Sequence, residues 1–139
     1  AIEAEPGNAQ LYFSLGVMYD NLENKEKAIE AYEGSIKADS EFYNAHFNLA
    51  VLRYNGVIEM VKQRNNLGIT AADLKKSEQM DKEIDVQLKE VLPHWEKVHQ
   101  LDPKDTTPME TLKYIYVQLK QMDKAEAMQT KLDNANSGE

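Results

Sequence analysis

Glu90 and His94 stand four residues apart, a spacing that puts a carboxylate and an imidazole on one face of a helix, where both could ligate a metal. Two ligands without a third do not make a metal centre, so no metal and no cofactor is expected. The six glycines, at 7, 16, 34, 56, 68 and 138, are scattered and form no phosphate-cradling loop. There is no cysteine, which removes thiol nucleophiles, thiolate metal sites and disulfides together. Spacing alone proposes no Ser/His/Asp arrangement, and the many carboxylates fall on solvent faces of the expected helices. The chemistry-bearing residues therefore point away from an enzyme.

Charge and hydropathy narrow the classes further. The net charge is −8, with nine acids against four bases in residues 1–55, so nucleic acid is not an expected partner. The longest apolar run is four residues, "LAVL" at 49–52, too short to cross a bilayer, and no membrane insertion is expected. A soluble protein is expected, and cytoplasm and periplasm are both compatible with a cysteine-free chain.

What positions these residues is a period. Shifting "LYFSLGVMY" (11–19) by 34 residues lays it on "AHFNLAVLR" (45–53), matching Phe13 to Phe47, Leu15 to Leu49, Gly16 to Ala50 and Val17 to Val51. The tails repeat too, since "AIEAEP" (1–6), "SIKADS" (35–40) and "VHQLDP" (98–103) share one register. Leu11, Leu15, Met18, Tyr19 and Leu22 recur at helical spacing, as do Ala28, Ile29, Tyr32 and Ile36. Gly16 and Ala50 are small where a paired helix must come close, whereas Lys113 in the same slot implies looser packing. Asn8 and Asn24 read as N-caps, Thr70-x-x-Asp73 as a capping box, and Thr107-Pro108-Met109-Glu110 as a capping box with proline at the first helical position. The expected fold is all-α.

These residues resemble the tetratricopeptide repeat, a 34-residue helix–turn–helix unit. Its first-helix pattern falls on Tyr12, Leu15, Gly16 and Tyr19, and its second-helix pattern on Ala28, Tyr32, Ser35 and, imperfectly, Ser40. A second unit matches at His46, Leu49, Ala50 and Arg53, then Val91, Trp95, Val98 and Pro103. A third matches at Met109, Leu112, Lys113 and Tyr116, then Ala125, Gln129 and Leu132. The resemblance implies a right-handed superhelical array of antiparallel helix pairs, an α-solenoid, similar to bacterial members with an elongated middle hairpin. Residues 1–7 then end a preceding repeat's second helix, as in a C-terminal fragment of a longer array. Units follow at 8–40, 41–105 and 106–133, and a polar tail at 134–139.

The second unit is too long. Asp20 to Ala28 spans 8 residues across the first turn, but Tyr54 to Val91 spans 37, a 29-residue insert at about 55–90. Its apolar residues keep helical spacing on both sides of "LGIT", which describes an antiparallel hairpin overhanging the repeat body by roughly 20 Å. The two arms covering each other is one reading, and a docking or dimerising prong is the other. Pro93 should kink the second arm, with a break into two helices as the alternative.

In this family the first helices line a concave groove that takes a peptide or a helix. The resemblance places Gln10, Phe13, Val17, Asn44, Phe47, Asn48, Val51, Tyr54, Tyr114 and Val117 in it, an apolar, amide-edged face without a cation. The family's carboxylate clamp wants Lys and Asn where Phe13 and Val17 stand, and Lys and Arg at Thr107 and Thr111. Only Asn48 fits, so acidic peptide tails are not the expected partner. Asn48 could hold a peptide backbone or make a local bond, and the aromatic residues could instead pack into the core. The expected function is a non-catalytic protein–protein interaction scaffold. Self-association as a homo-oligomer through the hairpin, or a regulatory segment of a larger enzyme, are the alternatives.

Overall fold

The computed structural model describes residues 7–138, and over these the elements are helices: α1 Ala9–Asn21, α2 Lys25–Ala38, α3 Tyr43–Asn65, α4 Ala71–Leu101, α5 Thr106–Gln118 and α6 Met122–Asn136. The fold is an all-α helical repeat. Residues 1–6, expected to close a preceding repeat, lie outside the described residues. The chain divides into two compact units, Ala1–Leu52 and Arg53–Glu139.

In the first unit α1 begins at Asn8, whose side chain accepts from the Leu11 N–H at 3.2 Å. It ends at Leu22 in a Schellman turn. Glu23 takes a left-handed φ of 57°, its N–H reaches Asp20 O at 2.9 Å, and the Asn24 N–H reaches Tyr19 O at 2.9 Å. Asn24 then caps α2 by accepting from the Lys27 N–H. The pair packs through Gly16, where an added Cβ would lie 2.5 Å from the Tyr32 ring, so glycine is what lets Tyr32 be fully buried. Gly34 makes the reciprocal space for Tyr12. Ser35, also fully buried, donates its hydroxyl to Ala9 O at 2.8 Å and so ties the end of α2 to the start of α1. Ala28, Tyr32, Leu49 and Leu52 form the core of this unit, with Phe13, Val17, Tyr19, Ile29 and Ile36 packed against it.

In the second unit the core runs through Val57, Leu88, Val91, Trp95 and Val98 to Leu112, Ile115, Tyr116, Met128 and Leu132. Thr70 caps α4 as expected, accepting from the Asp73 N–H at 3.1 Å while its hydroxyl donates to Asp73 Oδ2 at 2.7 Å. α4 continues without interruption through Pro93, so the break into two helices does not occur. The start of α5 differs from the expectation. Asp105, not Thr107, is the N-cap, accepting from the Thr107 N–H at 3.0 Å, and the helix begins at Thr106. Pro108 is therefore the third helical residue, where its missing N–H is still one of the four that have no partner in the helix. The α5–α6 turn repeats the Schellman geometry at Lys120 (φ 58°), with the Gln121 N–H on Tyr116 O at 2.8 Å.

Candidate functional site

Seven of the ten expected groove residues belong to the first unit, carried by α1 and the first half of α3. Gln10 and Asn44 are exposed. Phe13 is half-buried, its ring 6.0 Å from that of Tyr32 and 5.5 Å from that of Phe42, so much of it packs into the core instead of facing outward. Val17 packs on the same core, and Val51 is half-buried. Phe47 stacks on Tyr43 with ring centroids 5.9 Å apart, and Tyr43 is a neighbour that helical spacing alone had not singled out. Asn48 donates an Nδ2–H to the Tyr32 hydroxyl at 3.3 Å, which engages one of its two amide hydrogens locally. Burial raises the Tyr32 pKa, the bond from Asn48 opposes this, and Asp20 adds to the rise, so the hydroxyl stays neutral.

The second unit carries Tyr54, Tyr114 and Val117. Tyr54 stands edge-on to Trp95, centroids 5.9 Å apart and planes at 81°. Burial, and then Tyr114, push its pKa up to about 12. Tyr114 and Val117 are each 38% exposed and line a shallow trough of about 270 Å³ with Glu110, Lys113 and Leu132. Lys113 thus brings a cation to the edge of a face that had been expected to lack one.

Two features of this unit went unread in the sequence. A cleft of about 520 Å³ is lined by His99, Lys104, Met109, Lys131 and Asn134. Lys131 Nζ lies 3.3 Å from His99 Nε2, and burial followed by Lys131 lowers the histidine's pKa. The other feature is a cation over an aromatic ring, Lys124 at 5.7 Å from Tyr116, matching Lys27 at 5.4 Å from Tyr19 in the first unit. Both pairs were present in the sequence at the same spacing of eight, which is the signal that could have found them. Among the described residues, no group of three His, Cys, Asp or Glu side chains is placed to hold a metal, and no helix is long and apolar enough to cross a membrane.

Comparison with known proteins picks out the same segment. Residues 9–42, which contain α1 and α2, match the family model of the tetratricopeptide repeat. No curated protein matches the chain. Among solved structures, one described as "MamA RS-1 ArsTM double mutant" is similar at 16% identity with a TM-score of 0.41, over 99% of this chain and 80% of that one. Residues 9–42 are thus similar to one tetratricopeptide repeat, and they fold as a glycine-packed helix–turn–helix.

Proposed function

We propose that this chain is a non-catalytic interaction module that binds a peptide or helix of a partner protein through apolar burial and amide contacts. Tetratricopeptide repeats generally mediate protein–protein interaction, and the finer reading rests on one observation. Tyr114 and Val117 stay well exposed beside a trough whose wall is almost wholly carbon, in a protein that buries its other α5 apolar residues. An aromatic ring and a branched side chain held on a rigid helix offer apolar area at little entropic cost on binding. The first unit by itself offers apolar area of the same kind in half-buried Phe47 and Val51, with Asn44 and Asn48 supplying amides. Ion pairs contribute little here, because Lys113 is the one cation among these residues and Glu110 stands beside it in the same trough.

Selection from a random peptide library tests the reading. The enriched peptides should carry aromatic or aliphatic anchors without a consensus of acidic residues. Replacing Phe47 with Ala and Tyr114 with Ser should weaken their binding about tenfold each, since hot-spot aromatic residues contribute about 1–3 kcal/mol. Enrichment of acidic tails, or unchanged binding by both variants, would move the site elsewhere.

A further inference from the structure

The second unit holds a cleft that the peptide-binding reading leaves unused. Its volume is about 520 Å³, within the range of small-molecule sites. The end of α4 brings His99 to it, the following turn Pro103 and Lys104, α5 Met109, and α6 Lys131 and Asn134. It shares no lining residue with the Tyr114 trough. The turn that carries Lys104 is fixed by its own hydrogen bonds. The Asp105 N–H reaches Asp102 O at 3.3 Å, and Asp102 Oδ1 accepts from the Lys104 N–H at 3.3 Å.

The wall of this cleft contains two cations and no carboxylate. Lys104 and Lys131 are exposed, and among the described residues neither forms an ion pair. The acids nearby in the chain are hydrogen-bonded elsewhere: Asp102 to the Lys104 N–H, Asp105 to the Thr107 N–H at 3.0 Å, and Asp133 to the Gln129 amide at 2.7 Å. Lys131 is held by the histidine. An ammonium can only donate, so His99 Nε2 accepts from Lys131 Nζ at 3.3 Å and the imidazole hydrogen resides on Nδ1. Burial, and then Lys131, lower the His99 pKa, which keeps the ring neutral and able to accept. Nδ1 is buried and has no hydrogen-bond partner. A buried donor without an acceptor opposes folding, so the ring's placement serves Lys131 and not a second bond of its own. Met109 lines the cleft while only 3% exposed, and its side chain makes an apolar floor.

We propose that this cleft binds a small organic acid, with its anionic head met by Lys131 and Lys104 and its apolar body resting on Met109 and Pro103. An anion is favoured because both charged groups of the wall are cations, and one of them is already oriented by His99. A bare inorganic anion would use the lysines but not the floor, whereas an acid with a hydrocarbon body uses both. The unbranched thioether of Met109 adapts to such a body without a fitted shape. The net charge of −8 gives an anion no long-range attraction, so recognition depends on contacts inside the cleft. The site is independent of the proposed peptide groove, and either can fail without the other.

Nuclear magnetic resonance titration of the whole chain, labelled at its methionine methyl groups, tests this with octanoate below its micelle concentration. The Met109 methyl and the His99 ring signals should shift and saturate. Exposed Met18 and Met122, which a loosely adsorbed amphiphile would also touch, should stay unchanged. Octanol, the same chain without the charge, should bind about tenfold more weakly. Acetate, the head without the chain, should cause no shift at the same concentrations. Lys104→Gln with Lys131→Gln should weaken octanoate about tenfold and leave octanol as it was. Both lysines are exposed, so helicity by circular dichroism should not change. Equal binding of octanol and octanoate would overturn the proposal, as would undiminished octanoate binding by the glutamine variant. So would an unmoved Met109 signal, or equal shifts at Met18, Met109 and Met122, which would mean adsorption on apolar surface at large.

Discussion

The α1–α2 and α5–α6 hairpins close in the same way, ninety-seven residues apart. Leu22 and Leu119 end the first helix, Glu23 and Lys120 take the left-handed φ, and the next N–H reaches back to Tyr19 O and Tyr116 O. Lys27 and Lys124 then lie over those same tyrosines. The pairs differ in what the shared frame contains. In the first, Gly16 receives the Tyr32 ring and Asn24 caps α2 with its side chain. In the second, the matching positions are Lys113 and Gln129, both half-buried, and Gln121 makes no side-chain cap bond. The turn is thus specified by backbone geometry, which many residues satisfy, while the packing between helices is specified by individual side chains.

The two hairpins should differ most at the buried ring. Tyr32→Ala should destabilise the first unit by about 3–5 kcal/mol, because a fully buried aromatic leaves a large cavity. Gln129→Ala, at the matching position, should change stability by less than about 0.5 kcal/mol. Urea melts of both variants measure the contrast. Next in size is the glycine. Gly16→Ala pushes a methyl into the Tyr32 ring and should cost about 1–3 kcal/mol, whereas Lys113→Ala should be nearly neutral. The turns should then respond alike. Glu23→Gly and Lys120→Gly each relieve a left-handed non-glycine residue and should stabilise by about 0.5–1 kcal/mol. Equal gains support a shared turn, and a gain in only one would show that the turns differ. The smallest contrast is the cap. Asn24→Ala should lose about 1 kcal/mol, and Gln121→Asn should gain somewhat less by supplying the bond α6 lacks.

Tyr54 gives a pH test of the second unit. Its folded pKa is raised to about 12, above the value of 10.0 for an unburied tyrosine, so its protonated form is favoured by folding. That contribution is complete below pH 10 and is lost as pH rises from 10 toward 12. Absorbance titration should show one tyrosine ionising late, and Tyr54→Phe should remove that step.

The fold was legible because its periodic positions are the ones that pack. Leu15, Leu49 and Leu112 share a register, and Asn8, Asn24 and Thr70 cap the helices their positions announce. The start of α5 misled because Asp105 and Thr107 are both good caps two residues apart, and the choice depends on side-chain geometry that spacing does not encode. The candidate site was less legible. Phe13 and Phe47 occupy equivalent positions, yet Phe13 rests on Tyr32 and Phe42 while Phe47 stacks on Tyr43. Periodicity says which face a residue takes, but the sizes of its neighbours decide how much of it is covered. The Asn48–Tyr32 bond and the cleft beside His99 depend likewise on tertiary packing, which no local pattern carries.

In the function proposed, partner binding comes from apolar burial and not from charge. The most direct test is the affinity of a library-selected peptide at low and at high salt, for the wild type and for Tyr114→Ser. We expect less than about a threefold change with salt, since few exposed ion pairs are involved, and about a tenfold loss in the variant. A steep salt dependence with no effect of Tyr114→Ser would make charge, and not apolar burial, the source of binding.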